Sequence, residues 1–92
     1  MSTLPKGWTR KVTQTGEDNI FKLYITESFE STLSYLEKIS PVIRKSDRQA
    51  GINLSLSNDC LYVGLNGLGE DKDLEEYIAI AHSMENAIQN NS

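Results

Sequence analysis

The chain has 92 residues, 38% of them hydrophobic and 24% charged, a balance typical of one small globular domain. Thirteen acidic against nine basic side chains give a net charge of −4. This argues against direct nucleic-acid binding, which depends on basic side chains at phosphates. The single cysteine, Cys60, cannot form an internal disulfide, as in reducing compartments. With no signal-peptide core and no apolar run of the roughly 20 residues that a membrane span needs, we expect a soluble, cytoplasmic chain.

A β-hairpin is predicted in the first part of the chain. The stretch Trp8–Thr15 is rich in β-branched residues, and Gly16–Asn19 is a strong turn signal. The following stretch, Ile20–Thr26, is largely apolar. Together they predict two strands joined by a turn.

The second of these strands is apolar on both parities. Phe21, Leu23 and Ile25 alternate, which predicts that they point inward, but Ile20 and Tyr24 make the opposite parity partly apolar. The pattern indicates a sheet that is covered on both faces.

An amphipathic helix follows the hairpin. Its apolar residues fall at helical spacing i, i+4 and i+7, as Phe29, Leu33 and Leu36. Thr26 or Ser28 can cap its start. Pro41 lacks an N–H and its ring clashes with the preceding turn, so we expect the helix to kink or end near Ser40.

A second hairpin is the clearest pattern in the sequence. Apolar residues alternate with polar ones in Ile52–Leu56 and again in Leu61–Leu65, and Asn58 and Asp59 supply a tight turn between them. The polar partners on the first of these strands, Asn53 and Ser55, indicate a wet face or a surface kept for a partner.

A final helix is predicted from about Asp71 to Ala87, because acidic residues open it and an apolar stripe follows. The stripe that should pack on the sheet contains Leu74, Tyr77, Ile78 and Ala81. The element order is therefore β-β-α-β-β-α, an α+β fold with a four-stranded antiparallel sheet and helices on one face. We assign residues 1–88 to one domain and residues 89–92 to a disordered tail.

Chemistry-bearing residues are few. His82 is the only histidine and lies at the edge of the last apolar stripe without an evident orienting group, so a structural role is favoured over a catalytic one. One histidine and one distant cysteine offer no metal-ligand spacing. We expect no metal and no cofactor.

The order and spacing of several short pieces resemble the pterin-4a-carbinolamine dehydratases, also known as dimerisation cofactors of a homeodomain transcription factor. The resemblance runs from about Leu4 to Met84. The matching pieces are Gly7-Trp8, Ile20-Phe21-Lys22, a helix closing at Asp47, the strand Leu61–Leu65, Gly67-Leu68, and Asp71 or Asp73. The chain departs from the family in that Pro41 falls inside a helix that the family keeps continuous, and the family's first helix is absent or reduced to Met1–Lys6.

The resemblance places the family's catalytic His-His-Pro on Arg48-Gln49-Ala50 and its Thr-His around Gly67-Leu68, so every catalytic histidine is missing. Only the acidic positions remain: Asp47, and Asp71 or Asp73. Expelling the 4a-hydroxyl of the pterin requires a proton donor and a base that work near neutral pH, as imidazoles do. Arginine and glutamine cannot replace them.

Two functions are consistent with this resemblance. The first is a pseudoenzyme that binds a protein partner as an assembly factor or chaperone; a candidate is the type of lapsed family member that assists Rubisco assembly in α-carboxysome systems. The alternative is a divergent dehydratase that uses Asp47, Asp71 and His82. A small unrelated α+β binding module is a third reading.

Protein contact is the function that we expect. The residues freed from catalysis, Arg48 and Gln49, and the neighbouring strand residues, Asn53 and Ser55, are the predicted contact candidates. A homodimer or larger assembly is also predicted, because so small a core gains stability by pairing.

Overall fold

The computed structural model of the chain describes residues 3–12, 14, 18–46, 51–68 and 71–90. Six elements follow one another in the predicted order: β1 (Thr9–Val12), β2 (Asp18–Ile25), α1 (Phe29–Lys45), β3 (Ile52–Leu56), β4 (Cys60–Leu68) and α2 (Asp71–Asn90). The predicted α+β fold class is thereby confirmed.

The four strands form one antiparallel sheet in the order β1-β2-β4-β3, so β2 and β4 are central and β1 and β3 are edges. Both predicted hairpins are present. β2 begins at Asp18, and Asp18 and Asn19, which the sequence assigned to the turn, pair with Val12 and Lys11. Main-chain pairing is largely independent of side-chain type, so it extends the strand into residues with turn-forming side chains.

The facing of β2 is the reverse of the prediction. Ile20 and Tyr24 are buried beneath the helices, whereas Leu23 is 50% and Ile25 is 72% exposed. The pairing with β4 explains this result, because residues directly opposite each other in an antiparallel pair share a face. The partners of Ile20 and Tyr24 are two fully buried leucines of β4, and both helices pack on that face.

Helix α1 is capped by Ser28, whose hydroxyl accepts a hydrogen bond from the Ser31 N–H at 3.2 Å. Its buried side is centred on Thr32 and Ile39, not on the predicted stripe that begins at Phe29. The Phe29 side chain is 45% exposed.

Pro41 does not end α1, although an end near Ser40 was one of the two outcomes predicted for it. The helix continues to Lys45, and Ser46 caps it by donating its N–H to the Ile43 carbonyl at 3.1 Å. Pro41 is exposed, so its ring occupies no space in the core. Val42 and Ile43 pack against the core beyond it, and this burial offsets the lost main-chain hydrogen bond.

Helix α2 packs its predicted stripe on the sheet and on α1. It extends to Asn90, three residues beyond the predicted end at Ala87 and into the segment assigned to a disordered tail. Ile88 packs against the core, which holds this last turn in place. The core is formed by Trp8, Ile20, Tyr24, Ile39, Leu61, Val63, Leu65, Tyr77, Ile78, Ala81 and Met84.

Candidate functional site

Two of the residues proposed for residual catalysis, Asp71 and His82, lie far apart along α2. Asp71 is the first residue of α2, and His82 lies eleven residues further along the same helix. At a rise of 1.5 Å per residue they are about 16 Å apart along the helix axis. His82 is exposed, and its Nε2 lies 2.7 Å from the Thr3 carbonyl oxygen. The imidazole therefore contacts the main chain of the N-terminal segment. Asp47 lies outside the described residues.

The predicted contact residues divide into two groups. Arg48 and Gln49 lie outside the described residues. Asn53 and Ser55 are exposed on β3. Their strand partners on β4 are Gly64 and Tyr62, which places them on the face of the sheet opposite the helices.

That face, the open face, carries two of the exposed large hydrophobic side chains, Leu23 and Ile25. Alternation along the strands assigns these residues to it: Thr9 and Lys11 on β1, Asn19, Phe21, Leu23 and Ile25 on β2, Cys60, Tyr62 and Gly64 on β4, and Asn53 and Ser55 on β3. The apolar side chains lie on the two central strands and the polar ones mainly on the edges. Lys11 is the one charged residue among them.

Two aromatic rings order the centre of the open face. Phe21 and Tyr62 stack with ring centroids 6.2 Å apart and ring planes inclined by 27°. The Tyr62 ring reaches over Gly64, where a β-carbon would lie 2.8 Å from Tyr62 Oη. The absence of a side chain at Gly64 thus lets Tyr62 lie along the sheet beside Phe21, which gives the face a flat aromatic patch.

The sequence contained a signal for this face. In β2 both parities are apolar, and a strand with one wet face would alternate with polar residues. Sequence reasoning found the double apolar pattern but assigned the wrong parity to the core. Asn53 and Ser55 were predicted as contact candidates, whereas Phe21, Leu23, Ile25 and Tyr62 were not.

A charged cluster was missed altogether on the helix-covered side. The Glu85 carboxylate on α2 accepts hydrogen bonds from Trp8 Nε1 at 2.9 Å and Tyr24 Oη at 3.1 Å, and it forms an ion pair with Lys22. The Lys22 ammonium also lies 4.5 Å from the centre of the Tyr24 ring. In the sequence, Lys22 lies between Ile20 and Tyr24 on the parity that faces the core. The opposite charges of Lys22 and Glu85 at core-facing positions were the sequence signal that could have revealed this cluster.

The Glu85 cluster joins three parts of the fold. A turn at Gly7, with φ of +92°, brings Trp8 to the helix, and only glycine adopts this conformation readily. Burial raises the pKa of Tyr24 far above its ordinary value, and the charge and hydrogen bond of Glu85 raise it further. The phenol therefore stays protonated and donates its hydrogen bond to Glu85. The cluster has the properties of a structural tie between the N-terminal segment, β2 and α2.

A groove of about 310 Å³ lies between the end of α1 and the middle of α2. Its described lining is Val42, Lys45, Ser46, Ala79, Ile80 and Ser83. Lys45 is the one titratable side chain in that lining. The groove therefore offers no pair of acid and base groups for proton transfer from the residues described.

The described residues contain no group of three or more histidine, cysteine, aspartate or glutamate side chains placed to hold a metal. Neither of the described helices has the length and apolar character needed to cross a membrane. No protein-family model matches the chain, and neither do any curated proteins or solved structures. The geometry of the open face is thus the principal evidence about function.

Proposed function

We propose that this chain is a non-catalytic protein-binding module of the assembly-factor or chaperone kind, and that the open face is its contact surface. The observation that carries the proposal is the exposure of Leu23 and Ile25, 50% and 72%, on the central strand of a helix-free sheet face. Assembly-factor activity of the Rubisco type is one form that this function can take, and a cytoplasmic location is part of the proposal.

Exposure of this kind is unfavourable in water. Fully burying a leucine or isoleucine side chain stabilises a protein by about 1.5–3 kcal/mol relative to leaving it exposed. A contiguous apolar patch with polar residues around it is typical of a protein-contact surface. Leu23, Ile25, Phe21 and Tyr62 form such a patch, and Asn53 and Ser55 lie at its margin.

The arrangement of titratable groups supports a non-catalytic function. Asp71 and His82 are separated by three turns of α2, and the imidazole is engaged with a main-chain carbonyl. General acid–base catalysis contributes about 10²–10⁴-fold to a rate and requires the acid and base to reach one substrate. We therefore expect the purified chain to leave the dehydration of a pterin 4a-carbinolamine at its uncatalysed rate.

A stopped-flow dehydration assay tests this expectation. The wild-type chain and His82→Ala should both give the rate of buffer alone. Turnover by the wild type that His82→Ala abolishes would establish the alternative, a divergent dehydratase.

The binding part of the proposal is tested by quantitative affinity capture from the native cell extract. The variants compared are wild type, Leu23→Lys and Ser34→Lys. Ser34 is exposed on α1, so its substitution adds the same charge on the opposite side of the molecule. Proteins captured by the wild type and by Ser34→Lys should be lost with Leu23→Lys. Capture that is equal for all three chains would show that the open face is not the contact surface.

A further inference from the structure

We infer that the open face binds the same face of a second copy of this chain, so that two sheets pack face to face with the helices outside. This inference rests on the proposed function and names one occupant of the same surface. Three features of the face lead to it: its pattern across the strands, its lack of charge and its size.

The pattern across the strands is symmetric. The edge strands present polar residues, Thr9 and Lys11 on one side and Asn53 and Ser55 on the other, while the central strands present the apolar ones. Protein interfaces have this arrangement, an apolar centre within a polar rim. When such a face packs on its own copy, the apolar central strands contact each other and the polar edge strands contact each other.

A two-fold axis parallel to the strands gives the best pairing. It places β2 of each copy over β4 of the other, so that Ile25 lies over Cys60 and Leu23 over Tyr62 of the second chain. It also places β1 over β3, so that Thr9 lies over Asn53 of the second chain and Lys11 does not lie over another Lys11. Aligned sheets pack in this way about 10 Å apart, and a two-fold interface uses the same patch on both chains.

Charge favours a copy of this chain over a charged partner. The chain as a whole carries −4, yet among the described residues of the open face Lys11, at its edge, is the one charged side chain. Two such faces approach without burying an unpaired carboxylate or ammonium in their centre, and that burial would be costly.

The size of the face predicts how strong the pairing is. The strands have four, eight, five and nine residues, and each residue covers roughly 16 Å² because strands rise about 3.3 Å per residue and lie about 4.8 Å apart. The face is therefore roughly 400 Å² in projection, or about 800 Å² for two copies. Stable complexes bury about 1,200–2,000 Å² of accessible surface. We expect a reversible dimer that forms at roughly 10–1,000 µM.

The chain's only cysteine lies on the open face and reports on its coverage. Cys60 is partly accessible and should react with a thiol-alkylating reagent in the monomer. At a concentration ten times the dissociation constant, mass action leaves about a fifth of the chains monomeric, so the alkylation rate should fall about fivefold. Sedimentation equilibrium on the same samples should give a monomer–dimer isotherm with the same midpoint.

Leu23→Lys should remove both effects, and Ser34→Lys should keep both. Circular dichroism verifies that each variant is folded. The wild-type concentration series tests the inference independently of the variants. Two results overturn the inference: a wild type that stays monomeric with a constant Cys60 rate, or a dimer that persists in Leu23→Lys, as edge pairing through β3 would give. The capture experiment separately decides whether the face binds another protein.

Discussion

Glu85 is the residue whose removal has the clearest consequence for the fold. It accepts from Trp8, Lys22 and Tyr24, and the side chains of Lys22 and Glu85 are only 19% and 12% exposed. Glu85→Gln leaves the Lys22 ammonium without its counter-charge in a partly buried site. We expect a loss of about 1–3 kcal/mol in the free energy of unfolding, measured by urea denaturation.

The control for this substitution is Glu75→Gln, because Glu75 is exposed on the same helix. It should change stability by no more than about 0.5 kcal/mol. The double variant Lys22→Met/Glu85→Gln should recover part of the loss, since it removes both charges. Equal effects of the two glutamine variants would mean that the Glu85 cluster does not stabilise the fold.

Tyr24 makes stability dependent on alkaline pH. Its pKa is raised above the ordinary value of 10.0, first by burial and then by Glu85. A phenol with a raised pKa in the folded state stabilises the fold fully below pH 10. This contribution is lost as pH rises further, because the unfolded chain then releases the proton first. The stability of the wild type should therefore fall more steeply above pH 10 than that of Tyr24→Phe, by up to about 1.4 kcal/mol per pH unit.

Denaturation curves collected from pH 8 to pH 11 or so measure this difference. Tyr24→Phe lacks the hydrogen bond to Glu85 and should be the less stable chain at neutral pH. The two curves should converge as the pH rises. Parallel curves would show that the phenol is not held neutral by its surroundings.

At the scale of elements, the two hairpins and two helices could be predicted because their patterns are local. Alternation in Ile52–Leu56 and Leu61–Leu65 and the stripe along α2 depend only on period. The facing of β2 could not be predicted, because both of its parities are apolar and the choice depends on its register with β4, a non-local property. That α1 would not end near Ser40 could not be predicted for a similar reason, since its continuation through Pro41 depends on the packing of Val42 and Ile43.

The candidate site was predictable only in part. Asn53 and Ser55 were predicted as contact candidates because they alternate with the apolar residues of their strand, and the structure places them on the open face. The Glu85 cluster joins residues as far apart in sequence as Trp8 and Glu85, and no local pattern connects them. The predicted resemblance concerns catalytic positions and gives no information on where a contact surface lies.

Pro41 allows a direct test of the account of α1. It is exposed at an interior position of the helix, so Pro41→Ala restores a main-chain N–H without removing a core contact. Proline is about 3 kcal/mol less favourable than alanine inside a helix. We expect thermal and urea unfolding to show a gain of about 1–3 kcal/mol.

Ser34→Ala is the matched control for Pro41→Ala, because Ser34 is also exposed within α1. Its gain should be only about 0.5 kcal/mol, the difference in helix propensity. A Pro41→Ala chain that is less stable than the wild type would mean that the proline ring makes a contact needed by the fold.

For the whole molecule, the helices cover one face of the sheet and leave an apolar face of similar extent open. A chain of 92 residues buries only about two-thirds of its surface on folding, so further burial by association is an available source of stability. A substitution at Leu23 distinguishes the stability of the folded monomer from the stability gained by association. Leu23 lies outside the monomer core but at the centre of the proposed contact surface.

The most direct test is the urea midpoint of the wild type and of Leu23→Lys across protein concentrations from about 1 µM to about 500 µM. At the lowest concentration the two chains should differ by about 1 kcal/mol or less, because Leu23 is half exposed in the monomer. The wild-type midpoint should rise with concentration, since only its open face can pair, and the midpoint of Leu23→Lys should stay constant. A loss of several kcal/mol in Leu23→Lys at the lowest concentration would place Leu23 in the core and contradict the open face. A wild-type midpoint that does not change with concentration would contradict its pairing.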